Sequence, residues 1–397
     1  MTEPARAAAW QHPSMHEPGA SERQAAKRIA AARAVLAEAP VFDGHNDLPW
    51  EIRRLAGGDL RALDPGTSLA GRTHTDLERL SAGGVGAQFW SVYAPSTPPE
   101  AEALAVTLEQ VDLVHRMIAL HPDRLVLATN AEDCRRAVAG GRIASLLGAE
   151  GGHCIASSLA VLRDLHRLGV RYLTLTHNHS TGWADSATDE PRAGGLSAFG
   201  REVVAEMNCI GMIVDLSHVS ATTMHAALDA SSRPVLFSHS SSRALVDHPR
   251  NVPDDVLRRL QDNGGVCQVT FVAPFVSEAC RVWTEMAQRT MEDRGLDPED
   301  LGERARFLPA FELEHPQPAA TLSEVADHIE HVRQVAGLDH VGLGGDFDGT
   351  DALPRGLEDV TAYPRLLAEL AGRGWTQAEL AKLTWGNVLR VVERVCG

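Results

Sequence analysis

MIVDLSH, residues 212–218, is a short apolar run that ends on a histidine, and its neighbours in the chain repeat the form. YLTLTHNH (172–179) carries a histidine at 177, and VLFSH (235–239) carries one at 239. These runs are rich in Val, Ile, Leu, Phe and Thr and do not alternate strictly with polar residues. That pattern marks strands covered on both faces of a parallel sheet. Working outward, similar runs recur at Val41–Gly44, Gly86–Tyr93, Ala144–Ala149, Gly265–Phe271 and His340–Gly345. Helical patterns separate them, at Glu100–Leu120, Ser157–Leu168, Ala198–Asn208, Ala221–Leu228, Asp254–Asp262 and Ser323–Val335. Eight strands alternating with helices predict an α/β chain closed into a (β/α)8 TIM barrel.

At 397 residues the chain fits one large barrel domain, which such folds often form. Residues 1–20 are polar and proline-broken and read as a disordered lead-in; residues 21–397 read as the single barrel domain. Ser21–Ala39 predicts a helix with Ser21 as N-cap, and 373–395 predicts two closing helices, the first capped by Thr376. Two stretches exceed what a barrel needs. Asn46–Gly84 reads as loop plus helix, and 272–320 as an inserted segment over the barrel mouth, where specificity usually resides.

The formal charge is −16, from 53 acidic and 37 basic residues. That balance argues against nucleic acid or an anionic membrane as a partner. Six cysteines without a CxxC pair predict free thiols, with Cys267 buried in its apolar run. No apolar run reaches the roughly 18 residues that a spanning helix needs. The N-terminus has no basic-then-apolar leader, and VVERVCG at the C-terminus resembles no lipidation signal. A cytoplasmic location is the expectation.

The strand ends carry the chemistry. DGHND (43–47) supplies His45 and Asp47, and GAEGGH (148–153) supplies Glu150. His177, His218 and His239 end the next three runs, and GLGGDFDG (342–349) supplies Asp346. In a barrel these ends share one rim. Mixed imidazole and carboxylate ligands suit zinc or its first-row neighbours better than calcium or magnesium. There are enough of them for two ions, which such hydrolases hold about 3.5–4 Å apart. A bridging group is then needed. The only lysines, Lys27 and Lys382, lie in the terminal helices, so a carboxylated lysine is excluded and Glu150 remains.

One histidine at a strand end is ordinarily a hydrogen-bonded structural residue; several on one rim are not. His153, His179 and Asp348 read as supporting residues, and His115, His166, His328 and His331 as packing or surface residues. Ser238–Ser242 read as strand-end caps. Other chemistries lack their motifs: there is no G-x-S-x-G, no H-E-x-x-H and no Gly-Lys pair for a phosphate loop.

At these residues the sequence resembles the membrane dipeptidase (renal dipeptidase) family of amidohydrolase-like zinc peptidases. The matching strings are DGHNDLPW (43–50), GGVGAQFWSVY (83–93), EGGH (150–153), YLTLTH (172–177) and WAD (183–185). They continue with DLSHVS (215–220), FSHSSSRAL (237–245), RNVPDD (250–255), GGDFDG (344–349) and GLEDV (356–360), covering Val41 to Val395. The resemblance implies that His45 and Asp47 bind one Zn2+, that His218 and His239 bind the other, and that Glu150 bridges both. It implies a metal-bridging hydroxide as nucleophile, His177 polarising the scissile carbonyl, and Asp346 moving the proton to the leaving amine. Arg250 would pair with the free C-terminal carboxylate of a dipeptide, L-Xaa-L-Xaa or L-Xaa-D-Xaa. Relatives of this kind are often dimers, so a homodimer is expected by analogy.

Gly182 stands where the family commonly has proline, and VTFVAPFVSE (269–278) differs from the strand 7 exit of animal members. Two alternatives stay open. One is another binuclear amidohydrolase acting on N-acyl amino acids or β-lactams, and the other is an inactive homologue that binds metal or peptide.

Overall fold

The computed structural model describes residues 20–397. The lead-in expected over 1–20 lies outside the described residues, apart from Ala20, which opens a helix running Ala20–Glu38. Ser21 therefore lies within this helix and not at its cap.

The strands, in chain order, are β1 (Val41–Asn46), β2 (Val85–Tyr93), β3 (Leu125–Leu127), β4 (Ile143–Glu150) and β5 (Val170–Thr174). β6 (Ile213–Asp215), β7 (Leu236–Phe237), β8 (Val266–Val269) and β9 (Val341–Leu343) follow. All pairings are parallel. β1 pairs with β2, β2 with β4, and pairing then runs in order to β9, which returns to β1 at Asp43↔Leu343. The ring is the expected eight-stranded barrel. β3 is a correction: it pairs only with the start of β4, outside the ring. Its three residues, Leu-Val-Leu, are too few to show a period.

Along a strand every second side chain turns inward. The inward columns start apolar: Phe42, Phe89, Leu146, Tyr172, Ile213, Leu236 and Val266 form one cluster. Two residues further up, or four in β4, the same columns turn polar, with Ser91, Glu150, Thr174, Asp215, Ser238 and Gln268 all buried. The barrel is thus apolar below and hydrogen-bonding above. Val388, Val391, Val392 and Val395, on the helix Asn387–Cys396, join the lower cluster and seal the floor. Two separate closing helices were expected here. Instead Gln377–Ala381 continues through a π turn, Lys382–Gly386, into that final helix. Thr376 caps the run as expected, in a capping box with Glu379.

The segment 272–320 folds into the helices Ala273–Val276, Glu278–Asp293 and Leu301–Glu314. Trp283, Met291, Phe307 and Phe311 give it a small apolar core of its own. It leans on the loops above the barrel. Glu299 accepts from Asn178 Nδ2 (3.3 Å) and faces His179 (3.5 Å), while Arg304 pairs with Asp351 (3.0 Å). No described helix is long and apolar enough to cross a membrane.

Tyr172 fits inside the barrel because residue 148 has no side chain: a Cβ on Gly148 would lie 2.0 Å from the ring. Gly148→Ala should therefore destabilise the fold by about 1–3 kcal/mol through overpacking. Gly182→Ala, where a Cβ meets nothing within 4 Å, should stay within about 0.5 kcal/mol of the parent. Chemical denaturation of both proteins checks this; equal stabilities would mean that the Tyr172 packing is wrong.

Candidate metal centre at the barrel mouth

Every strand-end residue singled out in the sequence reaches the same mouth. His45 lies in β1 and Asp47 just beyond it, while Glu150 is the last residue of β4. His177, His218 and Asp346 sit three residues past β5, β6 and β9, and His239 sits two past β7. His45 Nε2 lies 3.1 Å from Asp47 Oδ2, 3.5 Å from Glu150 Oε2 and 3.9 Å from Asp346 Oδ1. The other oxygen of Glu150 faces elsewhere: Oε1 is 3.0 Å from His218 Nε2 and 3.4 Å from His239 Nε2. Those two nitrogens are 3.0 Å apart. Glu150 therefore straddles two ligand sets. The His177 ring stands 4.4 Å from that of His218, and Glu150, His177 and His218 offer ligand atoms within 4.8 Å of one another.

Local backbone geometry aims these groups. His218 and Asp346 adopt left-handed φ values of 67° and 58°, as does Asp348 at 69°. Few non-glycine residues adopt such conformations, Asp and His more readily than most, and those that do cluster at functional sites. Glycine is required beside them: a Cβ on Gly344 would lie 1.8 Å from the Ser238 carbonyl, and one on Gly44 2.2 Å from it. Asp43 locks the β1–β9 seam. It accepts from Gln88 Nε2 (2.9 Å), the His45 amide (2.8 Å), the Gly345 amide (3.0 Å) and the Tyr363 hydroxyl.

Burial sets most of the electrostatics. It depresses His218 and His239 well below the usual imidazole range, which leaves both as neutral bases. Metal ligation needs that form. Burial alone would push Glu150 up, but His45, His218 and His177 outweigh it and hold the carboxylate well below its usual range. His177 is pushed down to about 4, chiefly by burial. Asp346 is pushed up to about 7, first by burial and then, against the pull of His45, by Asp47 and Glu150. Arg250 is buried, its Nη1 has no hydrogen-bond partner among the described residues, and its guanidinium stands 5.3 Å over the Phe275 ring. Burial lowers it to about 10, while Asp346 and Glu150 pull it back up. It remains a cation facing the mouth.

The donor set fits a first-row divalent ion. Three imidazole nitrogens and the carboxylates of Asp47 and Glu150 converge within coordination-sized distances, with Asp346 alongside, and two of the imidazoles are neutral there. The histidines and aspartate next to the site are tied to their surroundings. His153 bonds the Ala94 carbonyl (2.9 Å), His179 bonds Ser96 (2.8 Å), and Asp348 accepts the His74 amide (2.5 Å). His328 is buried and accepts the Ser242 amide (3.0 Å).

Three residues escaped the sequence reading. Tyr172, whose hydroxyl meets His45 Nδ1 at 2.7 Å, lay inside an apolar run, and so did Asp215. Ser238 was read as a strand cap, yet its hydroxyl meets His239 Nδ1 at 2.8 Å.

The sequence profile of the membrane dipeptidase family, Peptidase family M19, matches residues 29–396. The chain is 41% identical over 369 residues to Dipeptidase 3 of Rattus norvegicus, across 92% of this chain and 67% of that longer protein. It is also 41% identical, over 379 residues, to Dipeptidase verJ of Clonostachys rogersoniana, across 92% and 87% of the two chains. Among solved structures it resembles a metallo peptidase from Rhodobacter sphaeroides liganded with a phosphinate mimic of the dipeptide L-Ala-D-Ala. That likeness has a TM-score of 0.73 at 25% identity, over 90% of this chain and 99% of the other. The family resemblance drawn from the motifs and the barrel expected from the strand pattern are both borne out.

Proposed function

This chain belongs to the membrane dipeptidase family, Peptidase family M19, and is a metallopeptidase of the dipeptidase type; from that premise we propose that it hydrolyses dipeptides at a pair of zinc ions bridged by Glu150. One observation carries the binuclear reading. The two oxygens of Glu150 turn to different ligand sets, Oε2 to His45 beside Asp47 and Oε1 to His218 and His239. Held there, such ions supply Lewis-acid charge and lower the pKa of water toward neutrality.

The chain's own residues do the rest. His177 is neutral at working pH and serves as a hydrogen-bond donor to the scissile carbonyl, where negative charge develops. Asp346, pushed up to about 7, can both take a proton from the attacking water and return it to the amine that leaves. Arg250 offers a buried Nη1 without a hydrogen-bond partner among the described residues, on the planar group suited to a carboxylate taken out of water. A fixed carboxylate clamp near the reacting centre favours a free C-terminus one residue away, and so favours dipeptides. The ligand of the Rhodobacter relative supports including L-Xaa-D-Xaa substrates.

The test is hydrolysis of an L-L and L-D dipeptide panel by metal-free and zinc-reconstituted protein. Chelation should abolish turnover and zinc restore it; turnover that survives thorough metal removal would refute the mechanism. Asp346→Asn should retain zinc, by metal analysis, yet lose about 10²–10⁴ in kcat. Near-parental kcat would remove it as the proton carrier. Arg250→Ala should lower kcat/KM roughly 10- to 150-fold, the loss of one charge-assisted hydrogen-bonded pair. C-terminally amidated dipeptides should be affected far less, and an equal effect on both substrate types would count against the clamp.

A further inference from the structure

Three histidines turn Nε2 toward Glu150, but what stands behind each ring differs. Behind His45, Nδ1 meets the Tyr172 hydroxyl. Behind His218, Nδ1 is buried and has no hydrogen-bond partner among the described residues. Behind His239 runs a chain: Nδ1 lies 2.8 Å from Ser238 Oγ, and that hydroxyl lies 2.7 Å from Asp215 Oδ2.

The direction of this chain follows from its far end. Asp215 is wholly buried inside the barrel and surrounded by donors. Oδ2 receives Thr174 Oγ1 (2.6 Å), and Oδ1 receives the amides of Ser238 (2.7 Å) and Ser217 (3.4 Å). Burial pushes the Asp215 carboxyl up from the usual range and these hydrogen bonds pull it back. The two amides can only donate, and the hydroxyls of Thr174 and Ser238 join them in donating to a carboxylate, which only accepts. The hydroxyl of Ser238 has one proton, and Asp215 takes it. Ser238 Oγ then faces His239 as an acceptor, so Nδ1 must carry the ring hydrogen. Nε2 is left as a lone pair aimed at Glu150 and His218.

We propose that Asp215 and Ser238 are positioning residues that fix His239 in its metal-binding tautomer, so that one of the two ion positions depends on a carboxylate buried below the site. The proposal rests on the binuclear reading above. Its rival is a purely structural Asp215 that ties β5, β6 and β7 together through Thr174 and Ser238. The two differ in what they do to metal. Outer partners of ligating histidines tune affinity at one ion, whereas loss of a strand clamp weakens the whole mouth.

The experiment is zinc titration of the full chain against a chromophoric chelator, with metal analysis and thermal melting of the metal-free protein. The parent should take two ions. Ser238→Ala removes one hydroxyl and should weaken one ion by about 10- to 100-fold while leaving the other unchanged. Asp215→Asn should do the same, because its amide donates to Ser238 and turns the hydroxyl proton toward His239. Metal-free Ser238→Ala should melt with the parent. Two ions of unchanged affinity in Ser238→Ala overturn the proposal and leave the dipeptidase reading intact. Equal weakening of both ions also overturns it, in favour of the clamp. A parent that takes up no zinc overturns both readings. If Asp215→Asn does not fold, Ser238→Ala decides alone.

Discussion

Glu150 is a carboxylate buried at the top of a closed barrel, and a buried charge must be matched or it will not stay charged. Its surroundings at the mouth answer that requirement. One oxygen is flanked by His45 and by Ser91 Oγ at 3.3 Å, the other by His218 and His239. Each neighbour comes from a different strand, and His45, His218 and His239 come from strands that do not pair with β4, so the curvature of the barrel brings them in. The same groups that balance this anion are those able to hold a divalent cation. Ion pairing inside the fold and metal ligation are therefore alternative uses of one cluster.

The grading of the interior makes this affordable in structural terms. Phe42, Phe89, Tyr172 and Leu236 fill the lower barrel, and the valines of the last helix seal it from below. Above them Thr174, Asp215, Ser238 and Gln268 form a buried hydrogen-bonding layer between core and mouth. That layer fixes side chains that would otherwise rotate. It also explains why His218 and Asp346 tolerate left-handed backbone: their strands are held immediately below, by Asp215 and by the Asp43 seam.

Much of this could be read from the residues alone, for a physical reason. Strand ends are where an apolar run stops, so a histidine or carboxylate there is visible as a break in composition; His218 after MIVDLS is the clearest case. Closure then places all such breaks on one rim. What could not be read lies inside the runs. Asp215 and Tyr172 look like ordinary strand residues, and their partners, Ser238 and His45, are 23 and 127 residues away. Asp43 sits in a motif that was noticed, but its work is on the far side of β1, against Tyr363 and Gly345. β3 was missed because three apolar residues beside longer runs carry no pattern. The helices of 272–320 were missed because their apolar residues pack mainly on one another.

The seam between β1 and β9 joins Asp43 to Gly345 across 302 residues of sequence. Contacts so distant form late, since the entropy of closing so large a loop must be met before they give anything back. His45 and Asp47 stand on one side of that seam and Asp346 on the other. Until that seam closes, Asp346 lacks its place beside His45 and Asp47. The group of His45, Asp47 and Asp346 is thus complete only in the closed ring, because its members come from the two ends of the barrel sequence.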